Sequence, residues 1–84
     1  MKTLDRLEKR INAAGIPTRR SELVTSCGPV PVLIALHDYM GPYPTREALH
    51  KAETIRRICF RSHVRVQMRG YYQASYIREE VDPA

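Results

Sequence analysis

Two cysteines, Cys27 and Cys59, are too few to knit an 84-residue chain into a disulfide scaffold. The chain also lacks any apolar run approaching the roughly 18 residues that span a bilayer. Its longest run, VLIAL at 32–36, suits a buried element instead. The first ten residues, MKTLDRLEKR, are charged and hold no apolar stretch of the kind a secretory leader needs. The expectation is a cytoplasmic, reducing setting with no membrane partner. Catalytic signatures are equally scarce. There is no Gly-rich phosphate loop, no paired-carboxylate pattern, no CxxC and no HxxxH. Internal repeats and low-complexity tracts are missing too. A single small domain that is not an enzyme, with no cofactor and no metal, is the expectation these absences leave.

Size sets a further bound. Apolar residues make up 43% of the chain, enough for one core and not for a deep substrate cleft. Burial at this size is often supplemented by self-association, so a homodimer is compatible with the composition.

What is present is positive charge, unevenly placed. The net charge is +5, from 14 Lys+Arg against 9 Asp+Glu. Residues 1–44 hold 6 basic and 4 acidic side chains, residues 45–78 hold 8 and 2, and residues 79–84 hold only Glu79, Glu80 and Asp82. Eleven of the 14 cations are Arg, which binds phosphate, guanine or carboxylate in a bidentate manner. An arginine-rich codon bias explains that preference equally well. A basic patch of this kind attracts nucleic acid, an acidic protein surface or an anionic membrane.

Periodicity assigns the elements. Leu4, Leu7, Ile11 and Ala14 share one helical face, and Gly15 and Pro17 stop that helix, so residues 1–15 read as an N-terminal helix with Thr3 as its cap. Residues 16–31 are the least legible. Arg19-Arg20 suits an anion contact or a solvated loop, and a short helix at 22–26 is expected after Ser21. Pro29 and Pro31 argue against a central strand there. Residues 32–40 read as a buried helix closed by Gly41. Residues 45–61, TREALHKAETIRRICFR, read as one amphipathic helix capped by Thr45. Ala48, Leu49, Ala52, Ile55, Ile58 and Cys59 fall on one side, and Arg46, His50, Glu53, Arg57 and Arg61 on the other, at about 100° per residue. A rival division into helices at 45–51 and 53–62 is disfavoured, because the apolar stripe runs through Ala52 without a turn residue. Val64, Val66 and Met68 alternate with Arg65, Gln67 and Arg69, and Tyr72, Ala74 and Tyr76 with Gln73, Ser75 and Ile77. These read as a hairpin over 63–78 with a tight turn at Gly70, followed by a flexible acidic tail at 79–84.

The order helix, turn, basic helix, hairpin resembles a winged helix-turn-helix. The nearest likeness is to the DNA-binding module of bacterial response regulators, carried here by Ile55-Arg56-Arg57 and Gly70-Tyr71 within residues 32–77. The fold it implies is α+β, a small winged-helix-like domain with three helices followed by a C-terminal β-hairpin. The resemblance implies that the helix at 45–61 enters the major groove of duplex DNA while the wing touches the flanking backbone. Arg46 and His50 are then the base-edge candidates, Arg57 and Arg61 the phosphate contacts, and Arg65 and Arg69 the wing contacts. About five such contacts imply a log–log salt slope near −4 to −5. The bland counterpart is a helix whose arginines simply solvate it.

Other residues carry weaker signals. Five of the six aromatics are tyrosines; Tyr71 is the candidate for stacking or for a protein partner, while Tyr72 and Tyr76 are expected in the core. Cys59 and His63 have tolerable zinc spacing, yet Cys59 lies on the apolar stripe and reads as a buried thiol. His37-Asp38, if helical, point about 100° apart and cannot orient each other for catalysis. Two functions of different class follow. One is a DNA-binding transcriptional regulator; the other is a small protein-binding inhibitor or adaptor of the kind phages and mobile elements use against a host complex.

Overall fold

The computed structural model describes residues 2–37, 45–69 and 73–80. Two helices, α1 (Lys2–Ala13) and α2 (Arg46–Cys59), alternate with two hairpins, β1 (Thr18–Thr25) with β2 (Gly28–Leu36) and β3 (Val64–Arg69) with β4 (Ala74–Glu79). All four strands form one antiparallel sheet in the order β1-β2-β4-β3. The sequence order is therefore α-β-β-α-β-β. The expected three helices followed by a C-terminal hairpin are not what the chain forms.

The correction lies in residues 18–36. The segment expected as a short helix at 22–26 belongs mostly to β1, and the expected helix over 32–40 is, as far as residue 36, the second half of β2. Run length explains the second error. VLIAL is apolar without interruption because Leu33 and Ala35 are buried on the helix side of β2 and Val32 and Ile34 on the other, and a short continuous apolar run does not separate such a strand from a buried helix. Its prolines explain the rest. β2 pairs with β1 from Gly28 to Ala35 but with β4 only from Leu33 to Leu36. Pro29 and Pro31 fall in the stretch that has one neighbour, where a strand tolerates a missing N–H. Thr25 and Gly28 close the β1–β2 turn around Ser26-Cys27. There Gly28 adopts φ +106°, and the Cys27 amide donates to Thr25 Oγ1 at 3.2 Å.

Both helices cover one face of the sheet. Leu4, Leu7 and Ile11 of α1 and Ile55 and Cys59 of α2 pack with Leu33 and Ala35 of β2 and Ile77 of β4, with Val64 and Val66 of β3 at the margin. The α1 stop is the one its glycine announced. Gly15, at φ +84°, donates to Asn12 O at 2.9 Å, Ile16 donates to Ile11 O at 3.2 Å, and the side chains of Ile11 and Ile16 are both buried. α2 is continuous through Ala52, as the stripe requires, and the Ala48 amide donates to Thr45 Oγ1 at 3.0 Å. It ends at Cys59, so Arg61 belongs to the turn after it and takes φ +63°.

The second face has a smaller apolar group, Val32, Ile34 and Ala74, with Leu23 and Tyr76 half-buried against it. Tyr76, expected in the core, thus lies on the side away from the helices, and Ser75 and Ile77 take the helix side. The register pairs Arg69 with Ala74, so four residues separate β3 from β4; the expected tight turn at Gly70 and Tyr72 lie outside the described residues. Of the expected acidic tail, Glu79 closes β4 and Glu80 donates its amide to His63 O at 2.9 Å; residues 81–84 lie outside the described part. No helix among the described residues is long and apolar enough to cross a membrane.

Candidate nucleic-acid interface

The six arginine and histidine candidates do not form one patch. Arg46, His50 and Arg57 are exposed on the outer side of α2, above the helix-covered face. Arg65 leaves the sheet on the opposite side, because its neighbours Val64 and Val66 turn inward to the core. Arg61 sits in the α2–β3 turn with its guanidinium 5.3 Å from the Phe60 ring centroid. Arg69 closes β3, and its side chain is outside the described part, as is the whole of Tyr71.

The outer face of α2 has ordinary reasons for its charges. Arg56 and Arg57 occupy its last turn, where cations complement the helix dipole. Arg10 of α1 adds a third cation there, donating from Nη1 to Ile58 O at 3.3 Å. Glu47 and Glu53 are interspersed among these cations, and Glu47 lies 3.5 Å from Lys51 Nζ one turn on. The α1 side is likewise neutralised. Arg20 points to the helix side of β1 and meets Asp5 at 2.8 Å and Glu8 at 3.5 Å. The hydrogen bond from Arg20 holds the Asp5 carboxyl below its ordinary range.

The second face has no such arrangement. Strand register places Arg65 of β3 directly opposite Arg78 of β4. Like charges facing each other across a ladder destabilise a sheet. Among the described residues neither guanidinium has a carboxylate within ion-pair distance. The two arginines stand beside Tyr76, Gln67, Leu23 and Val32 in a shallow depression, and they also wall a neighbouring groove of about 290 Å³. That groove has a topological cause. Because β2 and β4 pair only at 33–36 with 74–77, the hairpins part beyond Leu33 and Ile77. The gap is lined by Cys27 and Val30 on one hairpin and by Arg65, Arg78, Glu79 and Glu80 on the other. Arg78 was not among the sequence candidates. Its signal was available only through the hairpin register, which the length of the connection decides.

The remaining candidates are structural. Burial on the helix side pushes the Cys59 thiol up to about 11, with Arg10 opposing weakly. Among the described residues no group of three His, Cys, Asp or Glu is placed to hold a metal ion, and Cys27 and Cys59 are both free thiols. His37 is fully buried; its Nε2 lies 2.9 Å from Ser75 Oγ and its amide donates to Gln73 O at 2.8 Å. This pin ties the end of β2 to the start of β4. Ser75 is 1% exposed, so its hydroxyl is sealed from any substrate. Asp38 lies outside the described residues. Compared with known proteins, the chain matches no family model, no curated protein and no solved structure.

Proposed function

We propose that this chain is a small non-enzymatic nucleic-acid-binding module and that it binds through the sheet face turned away from its helices. The observation that carries the reading is the juxtaposition of Arg65 and Arg78 on that face. A protein that gained nothing from an anion there would be more stable with one of them replaced. The net charge of +5 supports the same class of partner. Of the regulator reading, the nucleic-acid-binding part is retained. The free wing is not, because β3 and β4 are built into a four-stranded sheet.

The test is fluorescence anisotropy of labelled single-stranded and duplex DNA and RNA across a salt series. Binding to at least one of them, with affinity falling linearly on a log–log salt plot, is expected. No binding to any of them at low salt removes the reading.

A specific observation favours the second class of function. Phe60 is 72% exposed, and Arg61 stacks over it. An exposed aromatic–arginine pair is the composition of a protein-binding hot spot, as an inhibitor or adaptor would need. On that reading a partner stays bound after nuclease treatment of a lysate and is lost on Phe60→Ala.

A further inference from the structure

We infer that the ligand of this face is single-stranded nucleic acid, seated in the groove where the two hairpins part. The inference rests on the nucleic-acid reading above and narrows it.

The geometry joins three features. First, the groove exists because Pro29 and Pro31 occupy the half of β2 that β4 does not pair with. A proline cannot donate to a ladder, so the strands have no backbone reason to zip further. Second, one wall carries Arg65 and Arg78 side by side without a carboxylate partner among the described residues. Third, the surface reached from that wall is apolar and aromatic: Val30 in the groove, and the half-buried Leu23 and Tyr76, packed against the buried Val32, in the depression that shares both arginines.

These features select among polyanions. A duplex turns its phosphates outward and stacks its bases inside, so it would meet the arginines and leave the apolar surface unused. A single strand offers phosphates along one edge and base faces along the other, and aromatic or apolar platforms beside cations suit that pattern. An acidic peptide supplies the charge without the flat apolar faces. Glu79 and Glu80 line the groove on the same hairpin as Arg65 and Arg78, across from Cys27 and Val30.

The experiment measures affinities of the full chain for a short mixed-sequence labelled DNA strand, for the same strand annealed to its complement, and for poly-glutamate as competitor. Stacking of one base predicts at least about fivefold tighter binding of the single strand than of the duplex. The Arg65→Gln/Arg78→Gln variant should weaken the single strand. It should also lower the steepness of its salt dependence by about 1.4, two contacts at about 0.7 each. Tyr76→Leu should weaken the single strand with no change in that slope. Arg46→Gln/Arg57→Gln, on the other side of the molecule, serves as the charge-matched control and should leave the slope as it is. Thermal melts of each variant establish that it is folded. Duplex binding as tight as single-strand binding, or poly-glutamate displacing the strand at equal charge, overturns the inference and leaves nucleic-acid or anion binding standing. Failure to bind strand and duplex alike overturns both readings.

Discussion

The two faces of the sheet are built on opposite terms. On the helix side Leu4, Leu7, Ile11, Leu33, Ile55 and Ile77 are sealed, a stray cation such as Arg20 is met by Asp5 and Glu8, and the buried thiol of Cys59 is kept protonated. On the other side the apolar group is small, the strands part after four paired residues, and two arginines face each other. The first face follows the rules of stability closely. The second departs from them at one place, and departures of that kind mark where a chain is shaped by something outside itself.

The largest test of this contrast is a pair of truncations. Leu33→Ala, at the centre of the helix-side core, should cost about 3 kcal/mol in urea unfolding, whereas Leu23→Ala on the other face should cost about 1 kcal/mol or less. Equal costs would mean that both faces are cores. Thiol chemistry probes the same difference. Cys27 lies exposed at the groove and Cys59 is buried. A thiol raised from 9 to about 11 carries roughly 100-fold less thiolate near neutral pH. A disulfide reagent should therefore label Cys27 alone in the folded protein, and a bulky adduct there should obstruct the strand. The folded state keeps the Cys59 proton that the unfolded state loses, so this contribution is intact below pH 9 and fades between pH 9 and about 11. Thr45→Ala removes the cap of α2 and should cost about 1 kcal/mol while leaving nucleic-acid affinity unchanged. The smallest effect is the most diagnostic. Arg78→Gln should raise unfolding stability by a few tenths of a kcal/mol, through relief of the facing charges, while it weakens binding. A loss of both would make Arg78 a structural residue.

Much of the helix side was legible in the sequence, and the reason is periodicity. The stripes of α1 and α2, the Gly15 stop and the Thr45 cap are local patterns, and each was read from residues within a turn of one another. The alternation through Val64 and Val66 revealed β3 in the same way. β2 was not legible because its pattern depends on partners far away in the chain. Its residues 32–35 are buried alternately on both faces, against the helices on one and against neighbouring strands on the other, so VLIAL shows no alternation, and its prolines argue against a strand unless the limits of β4 are known. The site inherits that difficulty. Arg65 was recognised as solvent-facing, but placing it with Arg46, His50 and Arg57 assumed that the hairpin lay beside α2 as a wing. In the sheet it faces the other way, and the residue that completes the site, Arg78, is found only when Val64 is paired with Glu79.

The central claim, that the partner seats on the helix-free face, is tested most directly by amide and arginine side-chain NMR shifts during titration with a short single strand. The account predicts the largest changes at Leu23, Val30, Val32, Arg65, Gln67, Tyr76 and Arg78, with the outer face of α2 still. Changes concentrated at Arg46, His50 and Arg57 would contradict it.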